Sequence, residues 1–233
     1  MPVFFRFSFL VGVILLLFGC AGESRVFQES MSAIWQSNKF KDPTLGATLS
    51  PIYRYLRGHN SHGVILMVWG YVDADPQSNV PIDVWYSGTK EVIKLQDGRV
   101  VATGGLNTDW LAVRYQGTPS WTHLLANPEQ IPVPYIRSVD LKLNYQFGKT
   151  QTMTLTRIPA PEAHKLPGVS AVGAQWFEER AESAQLPPTI YAVVPNWMQS
   201  GQAKVVYTWH CFKQDECFGF QEWTVQDQVT VKP

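Results

Sequence analysis

Cysteine offers the most definite chemistry in this chain. Cys20 follows Leu17-Phe18-Gly19 at the end of an uncharged apolar run, Val11 to Gly19, with Arg6 before it and Ala21-Gly22-Glu23-Ser24 after it. A basic start, a short apolar core and a small residue before the cut describe an export signal. The Cys makes it a lipobox, so processing leaves Cys20 as the acylated first residue of the mature chain. Two other readings stay open: a plain signal peptide cut near Ala21, and a membrane span, for which about 20 apolar residues are needed. Several acyl chains on one cysteine hold a membrane firmly, where a single chain does so only marginally. Ala at position 21, in place of Asp, favours the outer membrane.

The other two cysteines, Cys211 and Cys217, bracket Phe212-Lys213-Gln214-Asp215-Glu216. An even pair in an oxidising compartment predicts a disulfide, here clipping a hairpin end. Loop-closure arithmetic gives such a short bridge about 2–3 kcal/mol. A redox pair prefers Cys-x-x-Cys, and His210 alone beside the pair is a poor metal set.

Histidine and carboxylate chemistry is weaker. His59-x-x-His62 offers two metal ligands in a polar turn without Asp, Glu or Cys beside them, where tight structural sites need four. His123, His164 and His210 are widely spaced. No Gly-x-Ser-x-Gly elbow occurs. Glycoside chemistry requires two carboxylates about 5–10 Å apart; Asp83, Glu91 and Asp109 are within reach of a sheet surface, but acids at strand ends are mostly solvated. No metal, cofactor or catalytic set is therefore expected.

Binding is the better-supported chemistry. Trp69, Tyr71, Trp85 and Trp110 lie on neighbouring predicted strands, with Arg54, Arg57 and Arg114 in range. Sugar rings stack on aromatic faces, and Arg donates bidentately to acidic sugars. Core packing covered by arginine stems is the competing account of the same residues.

These side chains need elements to position them. With residues 1–19 removed, residues 20–25 form a lipidated tether and 26–233 an all-β domain, in one piece or as two lobes (about 26–118 and 135–233). Charged residues are 16 % of the sequence and aromatics 13 %, with nine Trp, the signature of a packed β protein or an apolar or glycan binder. The formal charge is zero, so nothing recruits nucleic acid by net charge. Phe27, Met31, Ile34 and Trp35 recur at helical spacing and predict one amphipathic helix over 26–40, stopped by Asp42-Pro43.

Beyond Ile52 the period becomes two. Strands are predicted at Tyr53–Arg57, Val64–Val72 (buried on both faces), Ile82–Tyr86, Asp109–Tyr115, Ser138–Tyr145 and Gln151–Arg157. Late strands follow at Ile190–Val194, Lys204–Trp209, Gly219–Val225 and Gln228–Val231. Residues 174–182 fit a helix by composition, or a strand. The proline-rich stretch 119–134 reads as a lobe junction. Asp97-Gly98 predicts a two-residue type I′ turn. It sets Gln96 against Arg99, Leu95 against Val100, Lys94 against Val101 and Ile93 against Ala102. One face then collects the apolar side chains and the other is largely polar.

Several blocks in this region resemble the YjbF/GfcB family of bacterial lipoproteins. They are Tyr53-Arg54-Tyr55-Leu56-Arg57, Val68-Trp69-Gly70-Tyr71-Val72-Asp73, Val84-Trp85-Tyr86-Ser87-Gly88, Leu95 to Val101, Thr103-Gly104-Gly105-Leu106 and Asp109-Trp110, in the family's order over about residues 50–115. The lipobox at Cys20 also fits. The later half departs, with Tyr191-Ala192-Val193-Val194-Pro195 and the Cys211/Cys217 loop where the family has an aromatic-Trp-Val-Asp-Pro strand. The resemblance implies an all-β, lipid-anchored periplasmic protein, encoded with capsular or extracellular polysaccharide genes and serving secretion or assembly of the polymer. It carries over no catalytic residue.

The expectation is an antiparallel fold of barrel-like or sandwich lobes with one N-terminal amphipathic helix. Its function would be non-enzymatic: held on the periplasmic face of the outer membrane by its lipid, it assists polysaccharide export by binding glycan or export partners. A glycan-modifying enzyme, marked by two facing carboxylates of which one has a raised pKa, is the first alternative. A structural partner of an outer-membrane export complex, marked by an exposed apolar patch, is the second.

Overall fold

The computed structural model describes residues 49–75, 80–164, 166, 172–183, 185–197 and 200–224. The leader, Cys20, the tether, the helix over 26–40 and the strand at Gln228–Val231 lie outside these residues.

Among the described residues, twelve strands form one antiparallel sheet. They are β1 (Tyr55–Asn60), β2 (Gly63–Ala74), β3 (Pro81–Ser87), β4 (Val92–Gln96), β5 (Arg99–Gly104), β6 (Trp110–Gln116), β7 (Val133–Leu141), β8 (Gln146–Ile158), β9 (Gln175–Ala181), β10 (Thr189–Val194), β11 (Lys204–Lys213) and β12 (Glu216–Trp223). The order is β5-β4-β3-β2-β1-β12-β11-β10-β9-β8-β7-β6. Consecutive strands pair throughout except β5 and β6, and the one non-consecutive pair among them is β1 with β12, Tyr55 opposite Trp223. The sheet's two ends, β5 and β6, are consecutive and side by side. No ladder joins them among the described residues. Instead Trp110 N–H donates to Thr103 Oγ1 at 2.9 Å and Tyr115 Oη donates to the Val100 carbonyl at 3.3 Å. The sheet is a nearly closed barrel, as the all-β expectation required. Near closure removes most of the exposed strand edge.

Two apolar clusters fill it. Leu56, Met67, Trp85, Ile93, Val113 and Phe220 form the first with their neighbours. Tyr135, Leu155, Phe177 and Tyr191 form the second, plugged by Trp121 and Leu124. The plug is a helix, α1 (Trp121–Ala126), in the stretch expected to be a junction. Ser120 caps it by accepting from His123 N–H, its i, i+3 apolar pair faces inward, and Asn127-Pro128 ends it. Residues 174–182 resolve as β9.

Two expectations change. β2 is buried only at Leu66–Val68, because β1 ends its pairing at Tyr55 opposite Val68 and the rest of β2 pairs with β3 alone. The strands buried almost throughout are β10 and β11. The β4–β5 register holds for Gln96–Arg99 and Leu95–Val100, then slips at a bulge: Lys94 lies opposite Ala102 and Ile93 opposite Thr103. The extra residue, Val101, lets consecutive Val100 and Val101 both be buried, and turns Thr103 inward to hold β6.

Candidate functional site

The Asp97-Gly98 turn is the centre of the site. Both residues have positive φ, 49° and 76°, as a type I′ turn requires. A side chain at position 98 would also meet Val205 Cβ at 2.2 Å, so only glycine fits. The turn's carbonyls are pinned: Trp121 Nε1 donates to Asp97 O at 2.9 Å and Thr208 Oγ1 to Gly98 O at 2.7 Å. The hairpin tip thus lies across β11 and against α1, far from solvent on that side.

Beside the turn is a buried polar cluster. Glu179, with its side chain 0 % exposed, accepts from Tyr135 Oη, from Tyr191 Oη at 3.1 Å and from Arg137 Nη1 at 3.3 Å. Arg137 also donates twice to Gln151 Oε1, at 3.1 and 2.8 Å. The Arg99 side chain, 5 % exposed, lies 3.8 Å from Glu179 and 3.7 Å from Asp97. It stacks over the Trp121 ring at 4.2 Å. Among the described residues its Nε and Nη2 donate no hydrogen bond. Burial and then the Glu179 charge push the Tyr115, Tyr135 and Tyr191 hydroxyls well above their ordinary values, so all three stay protonated.

Two open clefts flank the turn and share Asp97 as a wall. The larger, about 710 Å3, lies among the hairpin tip, β6 and the Gly117–Ser120 loop, with Gln96, Arg99, Arg114, Tyr115, Ser120 and Ser138 presenting polar groups. The second, about 500 Å3, has an apolar floor that includes Leu56, Trp85 and Phe220 and a charged rim of Asp83, Lys204 and Glu222. Asp97 is part-exposed, and the share of its carboxyl that the seated turn desolvates raises it to about 6, against the pull of Arg99. Asp97 can therefore give or take a proton near neutral pH. The clefts also suit a polyhydroxylated ligand, with donors, acceptors and an aromatic ring close together.

The expected binding residues divide between places. Arg54, Trp69 and Trp85 come together: Arg54 forks onto Asp83 at 3.2 and 3.1 Å, Trp69 Nε1 donates to the same carboxylate at 2.7 Å, and the guanidinium lies 5.3 and 5.2 Å from the two indole rings. Arg54 also reaches Glu222, at 3.6 Å, and Lys204 pairs with Glu222 as well. Arg57 lies over Trp223 at 5.7 Å. Tyr71 is exposed beside Tyr86. Trp110 is buried in the same apolar cluster as Trp85, under Arg137 and against His210. Arg114 lines the larger cleft and pairs with Asp140 at 3.0 Å. Trp85 and Trp110 thus serve the core, with arginines of this chain on their faces.

Cys211 and Cys217 are bridged, opposite one another on β11 and β12. His59 stacks on Tyr207, 5.9 Å between centroids, and His164 Nδ1 shares a 3.1 Å hydrogen bond with Tyr207 Oη. Among the described residues no three His, Cys, Asp or Glu are grouped to hold a metal. Asp109 holds Lys142 at 3.1 Å and the Leu106 N–H at 2.9 Å, and Glu91 accepts from Ser87 and Thr89; both acids staple local chain.

Nothing in the sequence singles out Arg99, Arg137, Tyr135 or Tyr191 as members of one cluster, and Arg99 reads there as part of the polar face of its hairpin. The one available signal is at Glu179: if 174–182 is a strand, Glu179 shares a face with Phe177, and a buried Phe implies a buried Glu.

No family model matches the chain, and no curated protein does. Among solved structures, the crystal structure of the hypothetical lipoprotein YmcC from Escherichia coli K12 is similar, with a TM-score of 0.50 and 17 % identity over 83 % of this chain and 93 % of that one. At that identity the likeness is one of fold.

Proposed function

We propose that this chain is a lipid-anchored envelope protein of the YjbF/GfcB type. Cys20 tethers it to the periplasmic face of the outer membrane, and it binds a polysaccharide in the clefts beside Asp97, assisting secretion or assembly of the polymer. The lipobox supports the anchor, and so does the likeness in fold to a protein described as a hypothetical lipoprotein. The pair of open clefts sharing Asp97, each setting polar or charged groups beside apolar surface, is the observation that carries the binding reading.

One observation favours a second reading, a glycan-modifying enzyme. Asp97, Asp83 and Glu222 line the same 500 Å3 cleft, and Asp97 titrates near 6, as a general acid would. Calorimetric titration with uronic-acid-containing and neutral oligosaccharides, run beside an assay for new reducing ends, separates the two. Binding without turnover is expected. Turnover abolished by Asp97→Asn would establish the enzyme instead, and absence of binding to both sugar classes would refute the glycan reading. For the anchor, Cys20→Ser should move the chain from the membrane to the soluble or unprocessed fraction; a cleaved product retained on the membrane would count against acylation.

A further inference from the structure

The β7–β8 turn is the most exposed apolar feature of the described chain. Residues 142–150, Lys142-Leu143-Asn144-Tyr145-Gln146-Phe147-Gly148-Lys149-Thr150, are all exposed. Leu143, Tyr145 and Phe147 show 55, 78 and 65 % of their surface to solvent. Three large apolar side chains within five residues are unusual on a surface that must only stay in water.

The tip is also held rigid. Asn144 and Tyr145 both sit in the left-handed region, at φ 58° and 49°, a conformation that disfavours an aromatic residue. Its base is clamped by Gly148 N–H to Asp140 at 2.7 Å, Arg114 to Asp140 at 3.0 Å, and Lys142 to Asp109 through both its backbone, at 3.1 Å, and its ammonium, at 3.1 Å. The Gly148 N–H, ahead of Arg114, holds the Asp140 carboxyl below its usual range, so the clamp persists into mild acid. The clamp thus fixes the base of the turn on which these three side chains are displayed.

We propose that this tip dips into the interface of a lipid bilayer with an anionic component. A protein partner that binds stably needs about 800 Å2 on each side, usually flat and well packed; three side chains on a projecting turn fall short of that. A fluid interface accepts such a tip from any side. Tyr favours the headgroup boundary, Leu and Phe the acyl region just below it. Residues 142–150 hold no carboxylate; Lys142 is neutralised by Asp109, and Lys149 is the cation beside the tip that complements anionic headgroups, its stem able to reach outward beside inserted apolar groups.

The test uses the full lipidated chain in vesicles of phosphatidylethanolamine with phosphatidylglycerol. An environment-sensitive fluorophore is placed at Phe147→Cys or Leu143→Cys, with Val172→Cys, at 75 % exposure no less open to solvent, as the comparison. Expected are a blue-shifted emission and quenching by nitroxide-bearing lipid about threefold greater at 143 and 147 than at 172, falling when phosphatidylglycerol is replaced by phosphatidylcholine. Water-like emission at both tip positions, or equal quenching at 172, overturns the proposal. Water-like emission in vesicles that blue-shifts only after an envelope extract is added overturns it in favour of a protein partner. The intact mass of the chain reports acylation separately, so a failed anchor and a failed tip are told apart.

Discussion

The hydroxyl of Thr208 donates a 2.7 Å hydrogen bond to the carbonyl of Gly98, joining a hairpin turn to a strand 110 positions later. With Trp121 holding the adjacent Asp97 carbonyl, this bond fixes the tip of β4–β5 against β11. The wall between the two clefts is therefore as firm as the sheet itself. A ligand would meet an already formed surface, which lowers the ordering cost of binding.

Gly98→Ala tests that wall. The new methyl has to displace Val205 and keep a left-handed backbone, which together should destabilise by about 3 kcal/mol in urea unfolding. Gly117→Ala is the companion, because it shares the positive φ, 79°, but has open space around it. It should lose about 1 kcal/mol, from the backbone alone. Equal losses for the two would mean that the hairpin tip is not tightly seated.

Glu179→Gln tests the buried cluster. It strips the carboxylate from between Arg99 and Arg137 and leaves two enclosed guanidinium groups poorly compensated. The loss should be about 3–5 kcal/mol, the range for breaking one side of a buried pair. Tyr135→Phe removes one donor and should cost about 1 kcal/mol. A loss for Glu179→Gln no larger than for Tyr135→Phe would show the cluster to be hydrated.

Acid sensitivity should trace to His210. Burial, and then Arg137, lower its ring from 6.5 to about 3. The unfolded chain binds the proton more readily, so the stability due to neutral His210 is fully present above pH 6.5 and is lost as pH falls toward 3. Asp97 works in the opposite direction: its contribution is present below about pH 4 and is lost as pH rises through about 6. Its side chain is 42 % exposed, so solvent screens that contribution and His210 dominates. Unfolding midpoints measured from about pH 4 to 7 should fall with acid in the parent, fall less in His210→Gln and fall more steeply in Asp97→Asn. A parent curve indifferent to pH would contradict the burial of the His210 ring.

Reducing Cys211–Cys217 should leave the fold in place but lower its stability by about 2 kcal/mol, the loop-closure value for so short a ring. Paired thermal melts with and without reductant measure it. Because β11 and β12 are already zipped from Tyr207–Gln221 onward, the loss should appear as earlier fraying at the Lys213–Glu216 end.

Much of the framework was legible in the residues alone. Period-two patterning located most of the strands, though it ran β7 on through Tyr145, where the chain has already turned, and left β9 open; Asp97-Gly98 named its turn and the first two pairs of its register, and the cysteine spacing named its bridge, because each of these follows from chemistry within a few residues. The bulge at Val101 was not legible: it accompanies the seating of β6 beside β5, where Thr103 turns inward to accept from Trp110 N–H. Nor was the burial of Arg99, Arg137 and Glu179, whose charges no local pattern marks for the interior. Their strands lie far apart in the chain, and only near closure of the sheet, with Trp121 stacked on Arg99, removes them from water and makes three charges depend on one another. Likewise the aromatics announced themselves as rings on strands, but whether each ring meets solvent, an arginine or the core was decided by the sheet's curvature around two packed clusters.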